Sequence, residues 1–416
     1  MMTLSEELTW RGFANQTTFK DLRVLDGKPI TFYFGVDPSA DSMTIGNLAA
    51  AMMVWHFINH GHKAILLVGG ATGLIGDPDG KKQERVLLSQ ADIARNRAAL
   101  AKEYRKIFAD QDFEIVDNYD WFKDIHYLDF LRQVGKHVPM RQMLSRDFVQ
   151  SRLGEDGAGI SYAEFSYSLI QGYDFLHLFR EKGVTLQVCG ADQWGNSITG
   201  VDLIRRIEGV EANVFSVPLV VNKTTGVKFG KSEQGAVWLD PGKTTPTQFY
   251  QFWINCDDAG VEDYLKIYTL FSKEEIAAII AEHQRNPRER KAQTKLAGAV
   301  TKLVHGQAAA NVAKRVTECL TGSLAIGDAA DVLDILREEV PTTTAAVHDP
   351  IVGALVATGL ATSNTEARRL LREHAVSINS KKAQGEHFQA DDFQNGRLLL
   401  RRGKAFKDSA LVELRS

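Results

Sequence analysis

The chain has 416 residues, 44% of them apolar and 24% charged, with a formal net charge of −3. That length exceeds a single hydrophobic core and predicts two or three domains of an ordinary globular protein. A net charge so near zero excludes a polycation, so any nucleic-acid contact must come from local patches. Cys189, Cys256 and Cys319 lie far apart and lack metal-ligand spacing. This argues against structural disulfides and a dedicated metal site, and predicts a reducing, cytoplasmic setting. Residues Met1 to Arg11 lack an apolar secretory core, and no apolar run reaches the span of a bilayer, so no membrane role is expected.

From Ile30 to about Val221 short apolar strands alternate with helical segments. Strands are predicted at Ile30–Val36, Ala64–Val68, Phe113–Val116, Thr185–Cys189 and Val214–Val217. Helices are predicted at Leu48–His60, Gln90–Phe108, Ser161–Phe179 and Asn196–Glu208. The alternation gives an α/β fold over residues 1–221, a Rossmann-like, doubly wound parallel sheet covered on both faces. At its start, Ile30–Val36 runs into the turn Asp37–Ser42, and Thr44-Ile45-Gly46-Asn47 opens a helix. Such a strand, turn and helix N-terminus make a phosphate-binding corner. Gly46 lets a flat base approach the backbone, while Thr44 also suits an ordinary N-cap. The stretch 121–159 breaks the rhythm, and its apolar residues call for a partner surface.

Next, a polar segment from Asn222 to Gln234 carries Lys228-Phe229-Gly230-Lys231-Ser232. Two lysines around a glycine can bring positive charge to a polyphosphate. A mobile cation beside a leaving pyrophosphate stabilises the transition state more than the ground state. Taken alone, such a run also occurs in solvated loops. Residues 222–325 are read as this loop and a helical domain, the pattern being helical from Thr245 to Leu320. Residues 326–350, with Pro341-Thr342-Thr343-Thr344, read as a linker. The remainder, 351–416, starts a capped helix at Ser363 or Asn364 that bears Arg368 and Arg369. It ends after Leu398-Leu399-Leu400 in a tail with Arg401, Arg402, Lys404 and Lys407. A basic helix and ribbon can grip RNA phosphates with little base reading.

Asp174 lies on a predicted helix with Tyr167 and Gln171 at i−7 and i−3, so the three share one face. Tyr33 sits on the first predicted strand. Polar groups on an inward face need partners, which points to a binding pocket. Asp192 and Gln193 follow the strand Thr185–Cys189, at the carboxyl edge where open sheets bind ligands.

The blocks, in order, carry a resemblance. They are Thr44–Asn47, Val68-Gly69-Gly70-Ala71-Thr72-Gly73-Leu74-Ile75-Gly76-Asp77-Pro78, Asn118-Tyr119-Asp120-Trp121, Gln171-Gly172-Tyr173-Asp174-Phe175, Gly190-Ala191-Asp192-Gln193-Trp194-Gly195-Asn196 and Lys228–Ser232. Together they resemble the bacterial-type tyrosyl-tRNA synthetases, class I enzymes, over essentially the whole chain. The resemblance implies ATP-dependent activation of L-tyrosine and its transfer to tRNA(Tyr). It implies Tyr33 and Asp174 on the phenol, Asp77, Tyr167 and Gln171 on the ammonium group, and Gln193 near the carboxylate. Thr72, Asn118 and Trp121 would shape the amino end of the pocket. For ATP it implies Asp37, Gly46, Asn47, Gly190, Asp192 and Lys231, with Mg²⁺ on the nucleotide phosphates. Catalytic roles fall to Thr44, Asn47, Lys228, Lys231 and Ser232. It also implies a homodimer formed through the 121–159 insertion, and an alpha-L RNA-binding module at 351–416 with Arg368, Arg369, Arg401, Arg402 and Lys404 as contacts.

One corner departs from the family. Thr44 and Asn47 stand where its signature has two histidines, and Phe34 replaces a small polar residue. A threonine hydroxyl is a shorter, neutral donor. Lys81, Lys82 or Arg85 are expected to compensate at the phosphates. A tryptophan-specific relative and a catalytically silent RNA-binding descendant are the competing readings. The Tyr33/Asp174 pair opposes the first, and the loop lysines oppose the second.

Overall fold

The computed structural model describes residues 2–78, 87–109, 111–154, 157, 159–227, 229–232, 235–403 and 406–415, without the side chains of 147, 148, 231 and 232. Lys81, Lys82, Arg85, Lys228 and Lys404 therefore lie outside the described residues. Contacts divide the chain into two units, Met1–Asp240 with Asp257–Pro287, and Pro241–Cys256 with Arg288–Ser416. Among the described residues no helix is long and apolar enough to cross a membrane.

The first unit is built on strands β1 (Gln16–Thr17), β2 (Thr31–Val36), β3 (Lys63–Val68), β4 (Phe113–Asp117), β5 (Leu186–Gly190) and β6 (Asn213–Val217). Their order is β1-β6-β5-β2-β3-β4, with only β1 antiparallel to its neighbour. The chain winds outward from β2 through β3 and β4, then returns to the other side of β2 as β5 and β6. The switch point thus lies between β2 and β5, where an open sheet leaves a crevice at its carboxyl end. The predicted strands are present within a residue or two. The two-residue β1 was not legible, being too short for any period.

Helices Ile45–Asn59, Gln90–Ile107, Tyr162–Lys182 and Trp194–Glu208 pack on the sheet. Ser161 caps Tyr162–Lys182 in a capping box with Glu164, and Gly183, at φ 65°, ends it. The interrupted stretch folds as short helices at Tyr127–Gln133, Met140–Leu144 and Asp147–Leu153. Tyr127, Leu128, Met140, Leu153 and Tyr162 are all more than half exposed. Helices Val261–Tyr268 and Lys273–Arg285 also belong to this first unit rather than to a separate helical domain.

In the second unit, helices Pro246–Ile254, Lys291–His305, Gln307–Thr321 and Ala330–Glu339 precede a five-stranded sheet. After the hairpin β7 (Lys231–Ser232) and β8 (Gly235–Ala236) of the first unit, the strands of this sheet are β9 (Thr342–Ala345), β10 (Ser377–Ile378), β11 (Lys381–Lys382), β12 (Arg397–Arg401) and β13 (Ser409–Leu414), in the order β11-β10-β12-β13-β9. Here the linker reading of 326–350 is corrected. Residues Ala330–Glu339 are helical, and Thr342–Ala345 pairs in parallel with Leu411–Leu414. Three successive β-branched threonines favour an extended, half-covered strand over a flexible joint. Leu398 and Leu400 face one core with helices Ile351–Ala357 and Asn364–Arg372, while Leu399 faces another with Ala330–Glu339. A sheet covered on both faces explains why all three leucines are buried.

Candidate active site

A cavity of about 600 Å³ opens at the switch point of the first unit. Its lining includes Tyr33, Asp37, Thr44, Gly46, Asn47, Thr72, Asp77, Tyr167, Gln171, Asp174, Gly190, Asp192 and Gln193. The residues expected around tyrosine and ATP therefore line one cavity, except Asn118 and Trp121, which are not part of the lining, and Lys231, whose side chain is not described. The sequence achieves this because Tyr33 lies on β2 and the others follow strand ends, open helix Ile45–Asn59 or lie on helix Tyr162–Lys182. Two glycines make the approach possible. A Cβ on Gly69 would lie 2.0 Å from Thr72 Oγ1 and 2.4 Å from Asp37 Oδ1, and one on Gly70 would lie 2.3 Å from Asp117 Oδ1. Only glycine lets these polar side chains close over the end of β3.

At one end Asp174 is 1% exposed and accepts two side-chain donors: Trp121 Nε1 on Oδ1 at 2.9 Å and Asn118 Nδ2 on Oδ2 at 3.0 Å. Asn118 also takes the backbone N–H of Ala71 on Oδ1 at 2.7 Å and gives Nδ2 to Thr72 Oγ1 at 3.0 Å. Asn118 and Trp121 are thus tied to Asp174 directly, and Thr72 through Asn118. Their reason is satisfaction of a buried carboxylate, which needs donors when no water reaches it. Burial pushes the Asp174 carboxyl well above its usual range, and the two donors pull it partly back. Facing this end, Tyr33 is 1% exposed and its hydroxyl has no hydrogen-bond partner among the described residues. Burial, with the Asp174 charge added, holds that phenol well above its normal range, so it is neutral.

Toward the middle of the cavity the charge is negative. Tyr167 donates its hydroxyl to Asp37 Oδ2 at 2.7 Å. Burial first, then Asp37 and Asp77, raise the Tyr167 phenol well above its normal range. Gln193 Nε2 donates to Asp77 Oδ2, and Asn196 Nδ2 donates to Gln193 Oε1 at 3.2 Å. Gln171 Oε1 is buried without a partner among the described residues. So is Oε1 of Gln187, a residue the sequence reading missed. Gln187 is 2% exposed, lines the cavity and lies opposite Tyr33 in the β2–β5 register. A glutamine inside the apolar run Leu186-Gln187-Val188-Cys189 was the available signal.

At the other end, helix Ile45–Asn59 points its N-terminus at the cavity lining formed by Thr44, Gly46 and Asn47. Asn47 Oδ1 accepts from the Thr44 backbone N–H at 2.9 Å and from the Thr44 hydroxyl at 2.8 Å. A backbone N–H can only donate, so the amide orientation is fixed. Nδ2 is then the group Asn47 can present to the cavity. Thr44 is a holder of Asn47 here, which explains how a threonine fits this corner. Phe34 is buried and lies edge-on to Tyr104 at 6.5 Å between centroids, so it serves the core beside the cavity.

The basic residues of the second unit divide. Arg368 and Arg369 are exposed on helix Asn364–Arg372. Arg402 is half-buried and pairs with Asp408 at 3.0 Å. Arg401 is corrected as an RNA contact: it is 8% exposed, donates to Ser409 Oγ at 3.0 Å and caps the Leu320 carbonyl. A guanidinium buried on a helix end satisfies orphan carbonyls and is not open to phosphate. No group of three or more metal-ligating side chains occurs among the described residues.

Comparison with known proteins agrees with this geometry. The family model described as tRNA synthetases class I (W and Y) matches residues 25–321, and the tyrosine–tRNA ligase SYY-like C-terminal domain matches 331–407. The tyrosine–tRNA ligase of Bacillus caldotenax is 43% identical over 97% of this chain and 98% of its own. That of Bacteroides thetaiotaomicron is 40% identical with the same coverage. Among solved structures, the C-terminally truncated mitochondrial tyrosyl-tRNA synthetase of Aspergillus nidulans is 29% identical, with a TM-score of 0.69 over 76% of this chain and 93% of that one. With both models matched in order and relatives aligned almost end to end, the chain belongs to the tyrosine–tRNA ligases, within the class I tRNA synthetases.

Proposed function

We propose that this chain carries out the ligation of its family in two steps within the switch-point cavity. The tyrosine carboxylate attacks the α-phosphate of ATP in line, forming tyrosyl-adenylate and expelling pyrophosphate. A ribose hydroxyl at the 3′ end of tRNA(Tyr) then attacks the tyrosyl carbonyl and AMP leaves. A carboxylate is already nucleophilic, so the first step rests on positioning and charge neutralisation rather than a general base.

The observation that carries this reading is the buried Tyr33 hydroxyl, without a partner among the described residues, in the same cavity as the doubly held Asp174. A phenol answers both, accepting from Tyr33 and donating to Asp174. Phenylalanine would leave the Tyr33 hydroxyl unpaired and bring no further donor to Asp174, a rejection mode for which tyrosyl-tRNA synthetases are themselves the standard example. Asp77, Tyr167 and Gln171 take the ammonium group, with Asp37 deepening the negative potential. Gln193 lies toward the carboxylate, and Asn47, Gly46, Gly190 and Asp192 take the nucleotide. Lys228, Lys231 and Ser232 act on the leaving pyrophosphate. Mg²⁺ enters on the phosphates of ATP, since no cluster of protein ligands is available for it among the described residues.

In the second unit, Arg368, Arg369 and Arg402 meet tRNA phosphates. The exposed Tyr127, Leu128 and Met140 form the face of a homodimer. The three buried free cysteines suit a cytoplasmic enzyme. The test is tyrosine-dependent ATP–pyrophosphate exchange, with phenylalanine and tryptophan as controls. Exchange with tyrosine alone is expected, and equal exchange with either control would overturn the pocket reading.

A further inference from the structure

Glu103 stands outside every motif above. It lies on helix Gln90–Ile107, half-buried. Its two oxygens hold the turn that leads into the Thr44–Asn47 corner: Oε1 accepts from Ser42 Oγ at 2.7 Å, and Oε2 accepts from the Met43 N–H at 2.6 Å. The same turn is the docking strip for the return arm of the lysine loop. The Asp240 N–H donates to Ser42 Oγ at 3.0 Å and the Leu239 N–H to the Met43 carbonyl at 2.9 Å. Thr44 bridges Trp238 antiparallel, and the Ile45 N–H donates to the Val237 carbonyl at 3.1 Å.

Beyond Val237 the pairing continues into the loop itself. The Val237 N–H donates to the Gly230 carbonyl at 2.9 Å, and Lys231 pairs with Ala236 in a hairpin. Gly230, at φ 92°, closes against Ile45, whose Cβ would be 3.4 Å from an added Cβ. One ladder therefore runs from the backbone of Lys231 to the corner that begins the nucleotide-facing helix. Its far end is held by the Glu103 carboxylate. Burial raises that carboxyl above its usual range, with the Asp240 charge adding to the rise, while the Met43 and Ser42 hydrogen bonds and Lys106 oppose it. A half-buried acid that accepts two donors specifies a position more tightly than a fully solvated one.

We infer that Glu103 is a positioning residue for adenylate formation, acting by locking the 42–45 strip so that the lysine loop and the Thr44–Asn47 corner share one register. This rests on the reading of the cavity given above. Ser42 belongs to the same clamp, because its hydroxyl both donates to Glu103 and accepts from Asp240. The tyrosine pocket lies on other elements, so its affinity is left out of the effect.

The test is pyrophosphate exchange by the full-length enzyme and its variants. Glu103→Ala is expected to lower kcat about tenfold through lost positioning while the tyrosine KM stays within about twofold. Glu103→Gln keeps an acceptor for the Met43 N–H and should retain most of the rate. Ser42→Ala should lower kcat by a few-fold, and it carries the test if Glu103→Ala does not fold. In a Lys231→Ala background, Glu103→Ala should add less than about twofold, because the two changes act through one ladder. An unchanged kcat in both Glu103→Ala and Ser42→Ala overturns the inference. So does a loss of equal size with and without Lys231, or a tyrosine KM that rises in step. A parent enzyme that fails to exchange with tyrosine would sink the functional reading and this inference with it. An active parent that is slowed by Lys231→Ala but not by Glu103→Ala sinks the inference alone.

Discussion

Replacing Thr44 with histidine restores the residue expected at this corner of the family, and the structure fixes what the exchange removes. Thr44 gives Asn47 Oδ1 two donors, a hydroxyl at 2.8 Å and a backbone N–H at 2.9 Å. Histidine keeps the second and loses the first. One neutral hydrogen bond is worth about 1 kcal/mol net, so the hold on Asn47 weakens without disappearing. If that loss reached the transition state in full, the rate would fall about fivefold. Against this stands the gain of an imidazole donor to a phosphate, about 1.5–3 kcal/mol if it finds an anionic oxygen, or roughly tenfold and more. We expect the loss to prevail, since Asn47 already serves the corner. Thr44→His should leave pyrophosphate exchange between unchanged and about fivefold slower, with tyrosine KM unaltered. Thr44→Val, which deletes only the hydroxyl, should move the rate in the same direction. A gain above about tenfold in Thr44→His would show an unfilled phosphate site. Parent-like exchange by Thr44→Val would show that the hydroxyl does not hold Asn47.

Asp174→Ala strands the phenol O–H of the substrate and leaves Trp121 and Asn118 without their acceptor, so tyrosine activation should fall at least about a hundredfold while ATP KM changes little. Unaltered activation would remove Asp174 from the pocket. Reversing Arg368 and Arg369 to glutamate should weaken tRNA charging and flatten its salt dependence, with pyrophosphate exchange intact. This is a cleaner probe than deleting 351–416, which would tear β13 from β9 and uncover Leu333 and Leu336. The parent is expected to be a dimer by light scattering, and Leu128→Asp, at a side chain 76% exposed, should yield a monomer. A dimer unaffected by that charge would move the interface elsewhere.

What the sequence made legible was local and periodic. Strand alternation located β2 to β6 within a residue or two, and helical spacing brought Tyr167, Gln171 and Asp174 to one face. Hydrogen-bond partners across the fold were not legible. Nothing in the spacing of Asn118 and Trp121 says that both reach Asp174, more than fifty positions away. Glu103 was invisible for the same reason, since its partners Ser42 and Met43 are sixty positions distant. Arg401 misled because charge in a basic tail reads as surface. The strand that carries it puts the guanidinium against a helix end instead. Thr342–Ala345 misled because a threonine run after proline suits a linker as well as an edge strand, and only β13 decides between them.

The polar layout at the closed end also separates phenol from indole. Asp174 has one donor on each oxygen, from Trp121 and Asn118, which leaves lone pairs for a ligand N–H or O–H. Either side chain could therefore satisfy Asp174. Tyr33 breaks the tie. Its hydroxyl is buried without a partner among the described residues, and burial with the Asp174 charge keeps it protonated, so it needs an acceptor. A phenol oxygen accepts while its proton goes to Asp174. An indole N–H has nothing to offer Tyr33, and leaving a buried hydroxyl unpaired costs about 1–3 kcal/mol. Tyr33→Phe should then narrow the discrimination against tryptophan by about ten- to a hundredfold in relative kcat/KM, mostly through weaker tyrosine use. If discrimination survives that change, the selectivity arises from pocket shape, with Gln187 as the residue to test next.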